Sequence, residues 1–214
     1  MAKPTRVGRG RCDMYFSKKM QRNLIRKIKE ENCRAYDLRL RTGVSAEDGQ
    51  ELKAIIDTMF RAWRKIVCSR SRGIIRKFDG IMRRLFLEWS EARNGWEPYF
   101  RLICVQKQKL LQENEEYKIR LEEETLRLSA YIKWLSAWVT ALKLCTDISV
   151  EFSVLDVEQI EEAVFDFCTN GKYPIVQSVD EAQADMLARV CSGHHLVSFH
   201  GMFREMNRHM SVGR

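Results

Sequence analysis

The residues with the most chemical content stand two apart in alternating runs. Arg39 and Arg41 alternate with Leu38 and Leu40 in the run Tyr36–Thr42, and Tyr99 and Arg101 alternate with Phe100 and Leu102 in Tyr99–Val105. Side chains two apart on a strand project from one face. If the two runs share a sheet, three guanidinium groups and a phenol gather on one side of it. Arginine offers a two-pronged donor to phosphate oxygens without needing a metal, and a tyrosine ring can stack on a base. The chemistry implied is a grip on a DNA backbone. The alternative is that these arginines pair with Asp37, Glu88 or Asp166 and form an internal charged network.

Other reactive types are dispersed. His194, His195, His200 and His209 all lie late, and no carboxylate or cysteine stands at a supporting short spacing, so turn or surface histidines are expected rather than a metal site. Cys12, Cys33, Cys68, Cys104, Cys145, Cys168 and Cys191 form no C-x-x-C pair, which fits reduced thiols packed as small apolar residues.

The elements that must position these groups follow from periodicity. Residues 1–11 read as a basic arm, and Ser17 to Asn32 as a basic amphipathic helix with Met20, Leu24, Ile25 and Ile28 on its apolar side. A strand over 36–42 precedes a helix from Ala46 to Ser69, in which Trp63 reads as core. A short helix near Ile74–Phe78 leads to a strand over Ile81–Glu91. The Asn94-Gly95 pair then marks a hairpin, and the strand returns over Tyr99–Val105. From Lys107 to Leu144 there is no Gly or Pro, which implies one long helix or two abutting ones; its first part, too polar to be buried alone, packs weakly, extends into solvent or pairs with a second copy, a solvated helix being favoured over self-association. A strand over Ser149–Leu155, helices over Val157–Cys168 and Asp180–Cys191 (Asp180 a possible cap), a strand over Leu196–Phe199 and a helix over Met202–Met210 complete the chain. The expected fold is α+β, a mostly antiparallel sheet covered by helices on one face, with the other face open to a ligand.

Charge is unevenly placed. Residues 1–42 hold 13 Lys or Arg against 4 Asp or Glu, whereas the remaining 172 residues hold 24 against 25. A concentrated basic segment favours polyanions, because each phosphate neutralised releases counterions. Lys18, Lys19, Arg22, Arg26 and Lys27 on the first helix are the natural contacts. No run approaches the roughly 20 apolar residues of a membrane span, and the start lacks a signal-peptide core, so a cytoplasmic protein with no membrane partner is expected.

The order of segments resembles the rolling-circle replication initiators of small Gram-positive plasmids. Gly10-Arg11-Cys12 with the basic helix behind it, Leu38–Val44, and Gly49–Leu52 through Met59–Trp63 are similar to successive parts of that family. So are Phe86-Leu87-Glu88-Trp89 with Asn94-Gly95 and Glu97–Ile103, Ala130–Trp134 with Trp138 and Ala141–Leu144, and Leu196–Glu205. The resemblance implies an HUH-endonuclease-like fold, with residues 1–32 as arm and helix, 33–214 as the main domain, and 106–128 as a charged helical insertion.

The same resemblance implies a pair of histidines on the second hairpin strand that holds Mg²⁺ or Mn²⁺, and a tyrosine nucleophile on a later helix that nicks DNA. Those positions here read Tyr99, Arg101 and Asp166, and Glu88 alone matches an acidic position. An imidazole pair is not replaced by a phenol and a cation. The expectation is therefore a DNA-binding, initiator-like protein without cofactor or nicking activity, acting on single-stranded or origin-hairpin DNA. A nickase rebuilt from other residues, such as Tyr173, and a helical scaffold whose segment 107–144 recruits a partner or forms a homodimer are the other readings.

Overall fold

A computed structural model describes residues 18–68, 75–107, 131–143, 148–169 and 179–211. In chain order the elements are α1 (Lys18–Glu30), β1 (Cys33–Arg41), α2 (Gly49–Cys68), a 3-10 turn (Ile75–Lys77), β2 (Gly80–Ser90), β3 (Gly95–Lys107), α3 (131–142), β4 (Ser149–Leu155), α4 (Val157–Thr169), α5 (Glu181–Cys191), β5 (Val197–Gly201) and α6 (Met202–Ser211). The five strands form one sheet in the order β4-β1-β3-β2-β5, and every neighbouring pair is antiparallel. The fold is α+β, as its sequence implies.

Alternation sorts the side chains into two cores. Leu38, Leu40, Leu85, Leu87, Phe100 and Leu102 face one way, where α2, α3 and α5 cover them with Ile56, Trp63, Trp134, Trp138 and Leu187. Ala35, Met82, Ile103, Val105 and Phe199 face the other way, against Leu24 and Ile28 of α1, Val164 and Phe167 of α4 and Phe203 of α6. Helices thus lie on both faces, not one. Strands β2 and β3 carry apolar residues on both sides for part of their length, and an exposed second face would leave Met82, Ile103 and Val105 in water. The second cover is partial: it stops short of Arg39, Arg41, Glu88 and Glu151, which lie further along the same face.

Local rules account for the joints. Asp180 caps α5, accepting from the Gln183 backbone while the Gln183 side chain accepts from Asp180 N–H. The hairpin turn is longer than the Asn-Gly pair suggests: residues 91–94 form it, and only Asn94 takes a positive φ, of 45°. Gly95 is needed for another reason. Ala46 and Trp96 exchange backbone hydrogen bonds beside it, and a Cβ at 95 would meet Ala46 backbone atoms at 3.0–3.1 Å.

Lys107 ends β3 rather than opening a helix, and residues 108–130, the greater part of the expected insertion, lie outside the described residues. In α3, Trp134 and Trp138 are fully buried in the chain's own core, so this part of 107–144 does not offer those side chains to a second copy. No helix among the described residues is long and apolar enough to cross a membrane.

Candidate functional site

The register places the expected residues together. Arg39 lies opposite Arg101, Arg41 opposite Tyr99, Tyr99 opposite Phe86, and Glu88 opposite Glu97, all on the partly covered face. Glu151 of β4 lies opposite Arg39 on the other side of β1.

Arg41 is the centre of this group. Its Nε donates to Glu151 Oε1 at 2.7 Å, its Nη2 to Glu88 Oε2 at 3.0 Å, and its Nη1 lies 3.6 Å from Glu97 Oε2. The guanidinium sits 4.5 Å from the centre of the Tyr99 ring, which stacks on Phe86 at 5.5 Å and 16°. Burial opposes the charge of Arg41, but the bonds from Glu151 and Glu88 outweigh it and hold its pKa above the ordinary arginine value. Arg101 is tied to Asp37 by Nε at 3.0 Å and Nη2 at 2.6 Å, with Asp166 of α4 at 3.8 Å. There too burial acts against the charge, and the Asp37 bond raises the pKa in spite of it. Arg39 has the loosest pairing, 3.5 Å to Glu151, with 40% of its side chain exposed.

Two expectations change. Tyr99 is 5% exposed, and its faces are taken by Phe86 and Arg41, so it cannot stack on a base in this arrangement. Arg41 and Arg101 are already matched to carboxylates among Asp37, Glu88, Glu97, Glu151 and Asp166, while Arg93 also pairs with Glu97 and Arg84 is buried opposite Arg101 on the same face. The internal network, with Glu97 and Glu151 added to it, describes this face better than a free phosphate grip. A divalent ion does not fit either, because the positions that would hold it are a buried phenol and a guanidinium, and Glu88 is engaged with Arg41.

The remaining candidates are dispersed. Arg22 and Arg26 of α1 are exposed, Arg26 lying 3.5 Å from Glu30, and Lys27 is paired with Glu31. Lys18 and Lys19 begin α1, but their side chains are not described. His194 Nε2 bonds Asp57 Oδ1 at 2.7 Å and stacks on Phe60 at 4.2 Å, whereas His200 packs at the edge of Trp63. The described residues contain no group of three metal-ligating side chains. Tyr36 packs on Phe78 and Phe152, and Tyr173 and residues 1–17 lie outside the described residues.

Glu97, Glu151 and two buried arginines are missed by reading the sequence alone: Arg84, which donates to Phe167 O, and Arg83. Arg83 is 2% exposed on the opposite face, inside the α2 layer. Its Nη2 donates to His195 O at 2.6 Å and its Nε to Ser198 Oγ at 3.0 Å, and its guanidinium lies 4.5 Å from the Phe100 ring, 4.6 Å from Phe60 and 5.5 Å from Trp63. Its Nη1, Trp134 Nε1 and His200 Nε2 are buried without a hydrogen-bond partner. Burial pulls the Arg83 pKa down to about 9. Burial, with Arg83 beside it, also lowers the pKa of His200. The signal was present, since Arg83 stands between Ile81 and Leu85 in strict alternation and therefore on the apolar face.

Comparison of the chain with protein-family models, curated proteins and solved structures gives no match.

Proposed function

We propose that the chain is a DNA-binding protein of the replication-initiator type, acting in plasmid rolling-circle replication or its control and holding DNA without cutting it. The observation that carries this is the disposition of α1. It buries Leu24 and Ile28 and turns Arg22, Arg26 and Lys29 outward, within the 42 residues that hold the chain's whole positive surplus. Two of its ion pairs, Arg26 with Glu30 and Lys29 with Glu161, are solvent-exposed. Such pairs are worth ~0–1 kcal/mol, so phosphate can displace the carboxylate partners with little penalty. The Arg41 and Arg101 network supports the non-cutting half of the reading, because it fills the place where the resemblance requires a metal.

The test is binding of the full chain to single-stranded, duplex and hairpin DNA across a salt series, with and without Mn²⁺, with the products checked for cleavage. Arg22→Gln/Arg26→Gln, and separately removal of residues 1–17, should weaken binding and flatten the salt dependence by about 0.9 for each phosphate no longer neutralised. Wild-type protein that binds none of these DNAs at low salt refutes the proposal. A covalent 5′ adduct formed with Mn²⁺ overturns its non-cutting half.

A further inference from the structure

The stretch 61–77 holds seven Lys or Arg and no Asp or Glu. On α2, Arg61, Arg64 and Lys65 share the outward face, all exposed, while Met59, Ala62, Trp63 and Ile66 of the same turns are buried. Arg76 and Lys77 of the 3-10 turn and Lys133 of α3 are exposed as well. Phe78 and Trp134, the immediate neighbours of Lys77 and Lys133, pack at 6.4 Å and bring those two segments together.

What separates this ridge from an ordinary solvated helix face is its lack of neutralisation by the described residues. Among the described residues, none of the six cations makes an ion pair with a carboxylate. Their hydrogen bonds go to neutral oxygens: Arg61 to Thr58 Oγ1, Arg64 to Phe60 O, Lys65 to Ala141 O. Contact with the Lys133 amine lowers the Lys77 pKa, with desolvation adding to it. Two ammonium groups have no acceptor to share, and an anion held between them would favour the charged form of both. The Arg41 and Arg101 network of the same molecule shows the opposite arrangement, with its guanidinium groups paired to carboxylates.

We propose that this ridge of α2, the 3-10 turn and α3 is a second, sequence-independent contact surface for the phosphate backbone of duplex DNA, an assignment that rests on the DNA-binding reading above. The partner is a duplex because the ridge offers charge without stacking. Phe60, Trp63 and Trp134 beneath it are buried, and the exposed large apolar side chains of the described residues, Ile132, Val139, Val154 and Phe165, include no aromatic on the ridge. Single-strand binders need exposed aromatic platforms, whereas phosphate contacts on a duplex need only positioned cations.

The experiment compares wild-type protein with the variant Arg61→Gln/Arg64→Gln/Arg76→Gln/Lys77→Gln/Lys133→Gln on one duplex and on a single strand of equal length, from about 0.05 to 0.3 M salt. Lys65 is spared because its Nζ bonds Ala141 O. A slope of about 0.9 per neutralised phosphate makes each one worth about eightfold in affinity at 0.1 M salt. If three phosphates go unneutralised, duplex binding weakens several-hundredfold, with a smaller effect on the single strand. The pair Lys77→Gln/Lys133→Gln alone should weaken it about eightfold or more, which keeps the test sound if the five-fold variant folds poorly by circular dichroism. Wild-type binding with unchanged affinity and slope in either variant overturns the ridge and leaves the α1 reading standing. An equal or larger effect on the single strand overturns the choice of duplex. Wild-type protein that binds no DNA removes both.

Discussion

Arg83→Met is the most informative change to the interior. Lowering the pKa from the ordinary arginine value to about 9 corresponds to about 5 kcal/mol set against the charged side chain. Its surroundings return most of that. Three aromatic rings within 5.5 Å of the guanidinium contribute ~0.5–2 kcal/mol each. The bonds to His195 O and Ser198 Oγ contribute ~1.5–3 kcal/mol each. Methionine keeps most of the volume, and both abandoned acceptors belong to partly or fully exposed residues, where water can take over. The Met variant should therefore unfold in urea within ~2 kcal/mol of wild type, whereas Arg83→Ala, which leaves a cavity among Phe60, Trp63 and Phe100, should lose ~3–5 kcal/mol. pH separates charge from shape. Below pH 9 Arg83 is protonated in both folded and unfolded chains, and the full penalty applies. Above it the folded chain sheds the proton while the unfolded chain keeps it, so wild type should gain on the Met variant by up to ~1.4 kcal/mol per pH unit toward the ordinary arginine value. Urea unfolding followed by tryptophan fluorescence between about pH 7 and 10.5 measures this difference. A Met variant as unstable as the Ala variant would mean that the guanidinium bonds outweigh burial. A difference flat across the pH range would mean that burial does not penalise the charge at all.

Other substitutions probe the remaining joints. Arg101→Ala strands Asp37, whose side chain is 11% exposed, and should lower the unfolding free energy by ~3–5 kcal/mol, while Asp37→Leu/Arg101→Met should recover most of it; a single variant of wild-type stability would show that the pair carries nothing. Gly201→Ala should be severely destabilising in thermal unfolding, because the added Cβ meets Asp79 O at 2.0 Å at a φ of +59°; an unchanged midpoint would mean that this corner is not built as described. Asp180→Ala removes the side-chain half of the capping box, the acceptor for the Gln183 N–H, and should cost about 1 kcal/mol, read from the urea midpoint.

The elements were legible where alternation or periodicity ran long. Ser149–Leu155 emerges as β4 with the same bounds, Asp180 is the cap it resembled, and Arg39, Arg41, Tyr99 and Arg101 do share a face. Pairing between distant strands was not legible. Nothing near residue 151 in the sequence tells that β4 lies beside β1, and that neighbour alone brings Glu151 to Arg41. Glu97 could have been found, since it stands two residues before Tyr99 on the same strand. The one-sided layering failed for a related reason: α1, α4 and α6 are far apart in the chain, and only the buried second faces of Met82 and Ile103 required them to converge.

The positions of the carboxylates change what the arginines mean. An arginine within reach of phosphate contributes to binding only if it does not first give up a partner of equal strength. Arg41, itself 18% exposed, would have to leave Glu151 and Glu88, and Arg101 would have to leave a two-pronged bond to the mostly buried Asp37, where an unpaired carboxylate is unfavourable. The ridge cations give up only neutral oxygens, and Lys77 gains by the exchange because its present neighbour is another amine. The charge that sequence alternation gathers on the sheet therefore holds the sheet together. The charge available to a polyanion lies on the helices, on α1 across one face and on α2, the 3-10 turn and α3 across the other.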